Sequence, residues 1–186
     1  MADDRELMVR VKEGEQSALE ILFARWEGPL FAFFYRLGCQ PSSIEDLTEE
    51  VLVSVYRARH RYDAGRPFAP WVYGVARLIW KDHLRAHGHE TSHPALPFEA
   101  AKRVPSSDLG PSELAEAREE VEVIRRAVQD LPEEQKAAFI LRHYHGLSYE
   151  AIAETLQAPI GTVKWRLHDA VRRLEAARTI LRREGG

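Results

Sequence analysis

Apolar positions recur along this chain at intervals of three and four residues, the spacing of one face of an α-helix. Strand-like alternation of useful length and Asn-Gly hairpin signals are missing. The clearest stripe is Ile44, Leu47, Val51, Val55 and Ala58, with Asp46, Glu49, Glu50, Val53 and Arg57 opposite it. In the first half the pattern predicts helices near 4–13, 16–38, 43–60 and 68–87. Gly14, Gly38-Cys39-Gln40-Pro41 and Asp63-Ala64-Gly65-Arg66-Pro67 break them. Ser42 or Ser43 is placed to cap the third, with Glu45 and Asp46 in its first turn, where the helix dipole favours acids.

Residues 88–112 change character. Pro94, Pro97, Pro105 and Pro111 fall there with Ser92, Ser106 and Ser107, a linker composition. Beyond it Ser112 can cap a helix with the stripe Leu114, Ala117, Val121, Ile124 and Val128. Leu131-Pro132 opens another, which Gly146-Leu147 ends. Ser148 caps a short helix through Gln157, Ala158-Pro159 turns, and a last helix runs to about Arg183. The expected fold is all-α, with two small helical domains, 1–88 and 112–186, joined by a Pro-rich linker over 89–111.

Charge refines the picture. The net charge of −3 is unlike that of a simple nucleic-acid coat, but it is unevenly spread. Residues 1–50 carry net −6, 51–89 net +5, 90–130 net −4 and 161–183 net +5. Two anion-seeking surfaces thus alternate with acidic ones. No apolar run approaches the roughly 18–20 residues of a membrane span, and MADDRELMVR lacks the apolar core of a signal peptide. Cys39 is the only cysteine, so no internal disulfide is possible and a reducing cytoplasm is expected.

The order short helix, tight turn, basic helix over 148–183 is a helix-turn-helix pattern. On a helical wheel Val163, Leu167, Ala170, Val171 and Leu174 share one face. Trp165 and Arg172 lie opposite, flanked by His168 and Asp169, with Lys164 and Arg166 on the shoulders. Shoulder cations suit phosphates and central residues suit base edges. Thr162 lies at a helix N-terminus that offers free N–H groups to a phosphate. Trp165 can pack on a thymine methyl. Asp169 can accept from a cytosine amino group, or orient Arg172 and Arg173.

In the first half, Asp46, Glu49 and Glu50 around Val53 form a docking face for a basic protein surface. No complementary group nearby makes them a metal site or an acid–base pair. Arg66, Phe68, Trp71, Arg77, Lys81 and Arg85 interleave cations with aromatics, which suits a single strand, although Phe68, Trp71 and Val75 also have core spacing. His83 and His87 are four apart, with His89 and His93 beyond and His143 near His145, but no cysteines or carboxylates complete a metal site. No metal, cofactor or catalytic residue is expected.

In sum of order and spacing, these segments resemble the sigma factors of bacterial RNA polymerase, of the extracytoplasmic-function (ECF) type. Glu45-Asp46-Leu47-Thr48-Glu49-Glu50-Val51 is similar to the family's E-D-L-x-Q-E-[VT] helix. Phe68-Ala69-Pro70-Trp71-Val72-Tyr73-Gly74-Val75-Ala76-Arg77 is similar to F-x-x-W-L-x-x-I-A-R-N. Leu131-Pro132-Glu133-Glu134-Gln135, Gly146-Leu147-Ser148-Tyr149-Glu150-Ala151-Ile152-Ala153 and Gly161-Thr162-Val163-Lys164-x-Arg166-Leu167-His168 are similar to L-P-x-x-x-R, G-x-S-Y-x-E-I-A and G-T-V-K-S-R-L-H-R-A-R. The resemblance implies a non-enzymatic initiation factor. Asp46, Glu49, Glu50 and Val53 would dock on the clamp of core RNA polymerase. Arg66, Phe68, Trp71, Arg77, Lys81 and Arg85 would hold the melted −10 strand of promoter DNA. Thr162, Lys164, Trp165, Arg166, Asp169, Arg172 and Arg173 would read the −35 duplex. An anti-sigma factor is the further partner implied. Leu78, Trp165, Asp169 and Val171 depart from the family pattern and bear on the promoter preferred. From the residues alone, a stand-alone helix-turn-helix regulator and a helical interaction module remain alternatives. Packing of acidic against basic faces, as a self-masking state, is also open.

Overall fold

The computed structural model describes residues 2–88 and 121–184, side chains through 180, and every element among them is helical. The expected linker, the cap at Ser112 and the stripe residues Leu114 and Ala117 lie outside the described residues. Helix α1 (Asp4–Lys12) starts with a capping box. The Asp3 carboxylate accepts from Glu6 N–H at 2.9 Å, and Glu6 reaches back to the Asp3 N–H at 3.1 Å. Helix α2 (Gln16–Leu37) stops at Gly38, whose φ of 92° is the left-handed C-terminal conformation that glycine adopts without strain.

Helix α3 (Pro41–Arg57) begins two residues earlier than its hydrophobic stripe predicts. Pro41 takes the first position, where its missing N–H costs nothing and its fixed φ is already helical. Neither Ser42 nor Ser43 caps it: the capping position is Gln40, without a side-chain bond. A short 3-10 turn (Arg59–Arg61) leads to α4 (Phe68–His87). The second domain contains α5 (described over 121–129), α6 (Glu133–His143), α7 (Tyr149–Leu156) and α8 (Ile160–Glu184). Ser148 caps α7 as its sequence predicts, accepting from Ala151 N–H at 3.1 Å.

The first domain buries Leu7 and Met8 of α1, Leu30, Phe33 and Phe34 of α2, Ile44 and Val51 of α3, and Val72 and Ala76 of α4. Its aromatics meet edge to face: Trp26 stands 5.3 Å from Phe68 and 5.4 Å from Tyr73, the geometry ring quadrupoles favour. The second domain buries Ile140, Leu141, Ile152, Val163, Leu167 and Ala170. The two domains also pack on each other, α7 against α4 and α6 against α2. Cys39 is a buried thiol whose pKa burial pushes up to about 12, so it behaves as a small hydrophobe.

Candidate nucleic-acid interface

The acidic face of α3 points outward. Asp46, Glu49 and Glu50 are exposed and Val53 is half-buried. Beside them runs a groove floored by Phe23, Phe31, Leu52 and Val53 and edged by Glu27, Glu45 and Glu49. The Thr48 hydroxyl is buried at this groove with no hydrogen-bond partner among the described residues. An apolar floor with an acidic rim fits a helix carrying apolar and basic residues.

The basic–aromatic segment is placed differently. Phe68 is 3% exposed, locked between Trp26, Tyr62 and Trp71, so it is a core ring and offers no stacking face. The expectation of a platform at Phe68 is corrected by tertiary packing, which turns its ring inward on the side of Val72 and Ala76. Trp71 is half-buried and rests 5.1 Å from Tyr62. Arg66 is exposed and pairs with Glu154 of α7 at 3.1 Å. Arg85 is exposed and lies 3.1 Å from Asp82 on its own helix.

Arg77 and Lys81 turn toward the second domain. Both meet Oε1 of Glu134, in the first turn of α6; Lys81 Nζ is 3.1 Å away. Arg166 of α8 approaches the other oxygen of the same carboxylate at 3.4 Å. One acid therefore faces three cations, two from the basic–aromatic helix α4 and one from the basic helix α8. Burial raises the Glu134 pKa, but bonds from Arg77 and Lys81 outweigh it and leave the carboxyl below its ordinary range. The Arg77 side chain is only 11% exposed.

On α8, Trp165 is 60% exposed, as its phase predicts, and Lys164 is exposed beside it. Thr162 is half-buried in the first turn. Asp169 is 6% exposed and its carboxylate is fully engaged within the protein. It accepts from Gln135 Nε2 at 3.1 Å, from Arg173 Nε at 2.9 Å and from Arg172. Of its two expected roles, the structure gives it the orienting one, because an acid this buried must be bonded. Arg173 and Arg172 donors, with Gln135, hold its pKa down to about 2. The heads of Arg172 and Arg173 remain at the surface.

Sequence reasoning missed the residues that join the domains. Thr155 Oγ1 lies 3.2 Å from the Pro70 carbonyl, and Gln129 Nε2 donates to the Arg36 carbonyl at 2.9 Å. His145 packs at a tilt on Tyr73 and edge-on to Phe33. The LPEEQ motif held Glu134 in plain view, but nothing local marks its partners. Among the described residues no group of three His, Cys, Asp or Glu is arranged for a metal, and His83 and His87 simply stack at 4.5 Å. No described helix is long and apolar enough to cross a membrane.

Comparison with known proteins gives two family matches: sigma-70 region 2 over residues 22–90 and sigma-70 region 4 over 122–174. The RNA polymerase sigma-H factor of Pseudomonas aeruginosa is 30% identical, with 97% of this chain and 96% of that protein covered. The ECF RNA polymerase sigma-E factor of Haemophilus influenzae is 28% identical, with 92% and 93% covered. Among solved structures, the sigma factor RpoE of Bartonella quintana, in complex with the anti-sigma factor NepR, has the same fold. Its TM-score is 0.66 at 22% identity, over 85% of this chain and 94% of that one.

Proposed function

This chain belongs to the extracytoplasmic-function group of RNA polymerase sigma factors, and on that premise we propose how its surfaces divide the work. It is a promoter-directing initiation factor, and in this reading the polymerase supplies the chemistry while the chain supplies binding, in the bacterial cytoplasm. Asp46, Glu49, Glu50 and Val53 of α3 dock on the polymerase clamp. Arg66, Trp71, Arg77, Lys81 and Arg85 hold the melted −10 strand, with Phe68 supporting Trp71 from within. Thr162, Lys164, Trp165, Arg166, Arg172 and Arg173 meet the −35 duplex, with Asp169 positioning the last two. Residues 1–88 and 112–186 act as the two binding domains and 89–111 as their tether, so two weak DNA contacts reinforce each other through effective concentration.

One observation carries this division. The acidic face of α3 is open, whereas Arg77 and Lys81 on the basic face of α4 are held against the second domain by Glu134. A surface ready for protein and a surface withheld from DNA fit a factor that meets polymerase first. The Bartonella relative is solved with an anti-sigma factor, which supports a similar inhibitory partner for this chain.

Run-off transcription with core polymerase on genomic fragments tests the reading. Discrete starts that need the chain are expected. Absence of any specific start, with equally selective duplex binding by the chain alone, would instead describe a stand-alone helix-turn-helix regulator.

A further inference from the structure

We propose that Glu134 is an internal stand-in for a DNA phosphate, holding the packed chain silent toward single-stranded DNA until another partner separates the domains. The inference rests on the assignment of Arg77 and Lys81 to the −10 strand. Its ground is geometric. A phosphate in a basic groove is met by several cations at hydrogen-bond distance, and Glu134 is met the same way by Arg77, Lys81 and Arg166.

These three cations come from two domains and two different DNA-binding elements. They converge on one carboxylate although each could point to water. Glu134 is well placed to compete: it lies in the first turn of α6, where the helix dipole favours an acid. Its side chain is 26% exposed and those of Arg77, Lys81 and Arg166 are 11%, 31% and 20% exposed. Such half-sheltered pairs are screened less by salt than surface pairs are. A strand and Glu134 cannot occupy the same guanidinium edge together.

The masking is unequal. Lys164, Trp165, Arg172 and Arg173 keep their outer faces open, so the −35 surface loses only Arg166. The −10 surface loses Arg77 and Lys81, and Arg66 pairs with Glu154 on the same side. The withheld activity is therefore strand capture, the step that must not precede arrival at a duplex promoter.

The test compares the wild-type chain with E134Q and with E133Q, which removes the same charge one residue away. The probe is a mixed-sequence single-stranded 20-mer, titrated at several salt concentrations. E134Q should bind at least about 5-fold tighter, the lower end of ordinary coupling between sites. Its plot of log affinity against log salt should steepen by about 1–2, since each released cation adds about 0.7 on a single strand. E133Q should change neither. Equal affinities and slopes for wild type and E134Q overturn the proposal. So does an equal gain from E133Q, which would be a net-charge effect. Circular dichroism confirms that each variant is folded, and E134D, which keeps the charge, should restore weak binding. Run-off transcription with the same proteins separates the two claims: lack of any promoter-specific transcript from the wild type breaks the functional assignment, whatever the strand binding shows.

Discussion

Tyr73 and His145 meet across the domain boundary, with the phenol oxygen 2.6 Å from the imidazole Nδ1. The ring of His145, just beyond α6, enters the aromatic core of the first domain against Phe33, 5.8 Å away. Its Nε2 is buried with no hydrogen-bond partner among the described residues. Burial, with the Arg36 charge of α2 adding to it, lowers the His145 pKa to about 4 from the ordinary 6.5. Burial also raises that of Tyr73, so the pair is neutral when packed.

The proton therefore binds more tightly to His145 when the domains are apart. Packing keeps its full strength above about pH 6.5 and weakens as pH falls toward 4, losing about 2 kcal/mol by pH 5. Small-angle scattering from pH 7.5 to 4.5 should record a growing radius of gyration. His145→Phe keeps an aromatic ring in the same place without the titration, and should flatten the curve. A wild-type radius constant down to pH 4.5 would remove the histidine from the interface energetics.

Gly38→Ala should separate backbone strain from domain docking. Gly38 has φ of 92°, and an added Cβ would lie 2.3 Å from Oε1 of Gln129. Gln129 can swing away, but only by giving up its bond to the Arg36 carbonyl and by withdrawing the acceptor 3.3 Å from the buried Lys136. Gly14→Ala, at φ of 89° with nothing within 4 Å, carries the strain alone, about 1–2 kcal/mol. Thermal unfolding should place Gly38→Ala lower than Gly14→Ala by several degrees. Equal melting temperatures would mean that Gln129 adds nothing to docking.

Asp169→Asn tests whether the buried acid organises the reading face. Simple electrostatics expects tighter DNA binding when a negative charge leaves a DNA-facing helix. The geometry expects the reverse for sequence-specific binding, because Arg172 and Arg173 lose their common anchor and the Asn amide turns donors toward donors. Discrimination between the promoter duplex and a scrambled one, at one salt concentration, should fall by about 10-fold. A rise in specific affinity would mark Asp169 as a repulsive charge only.

Asp46→Ala with Glu50→Ala should weaken binding to core polymerase and leave the melting temperature within a degree or two. Both side chains are exposed on α3 and neither supports the core. Competition for core polymerase against the wild-type factor gives the answer. Undiminished competition would take the clamp contact away from this face.

Much of the molecule was legible from spacing. The stripe Val163, Leu167, Ala170 and Leu174 is buried and Trp165 stands out, because a regular helix carries phase information within every turn. Phe68 and Asp169 were harder. Each lies at a position whose phase admits two neighbours, and tertiary packing chose the inner one. Pro41 shifted the start of α3 because a helix begins where the first N–H groups are best spared, and the apolar stripe carries no sign of that.

The sequence by itself determined the helices, the cap at Ser148, the acidic and basic faces and the family. All are encoded within a few residues, through hydrophobic phase, side-chain caps and the conformational freedom of glycine. Only the tertiary structure decided which charges meet. Glu134 finds Arg77, Lys81 and Arg166 at separations of 57, 53 and 32 residues, and Tyr73 finds His145 across 72. Nothing local marks such pairs: closing loops of that length costs entropy that only a whole packed interface repays.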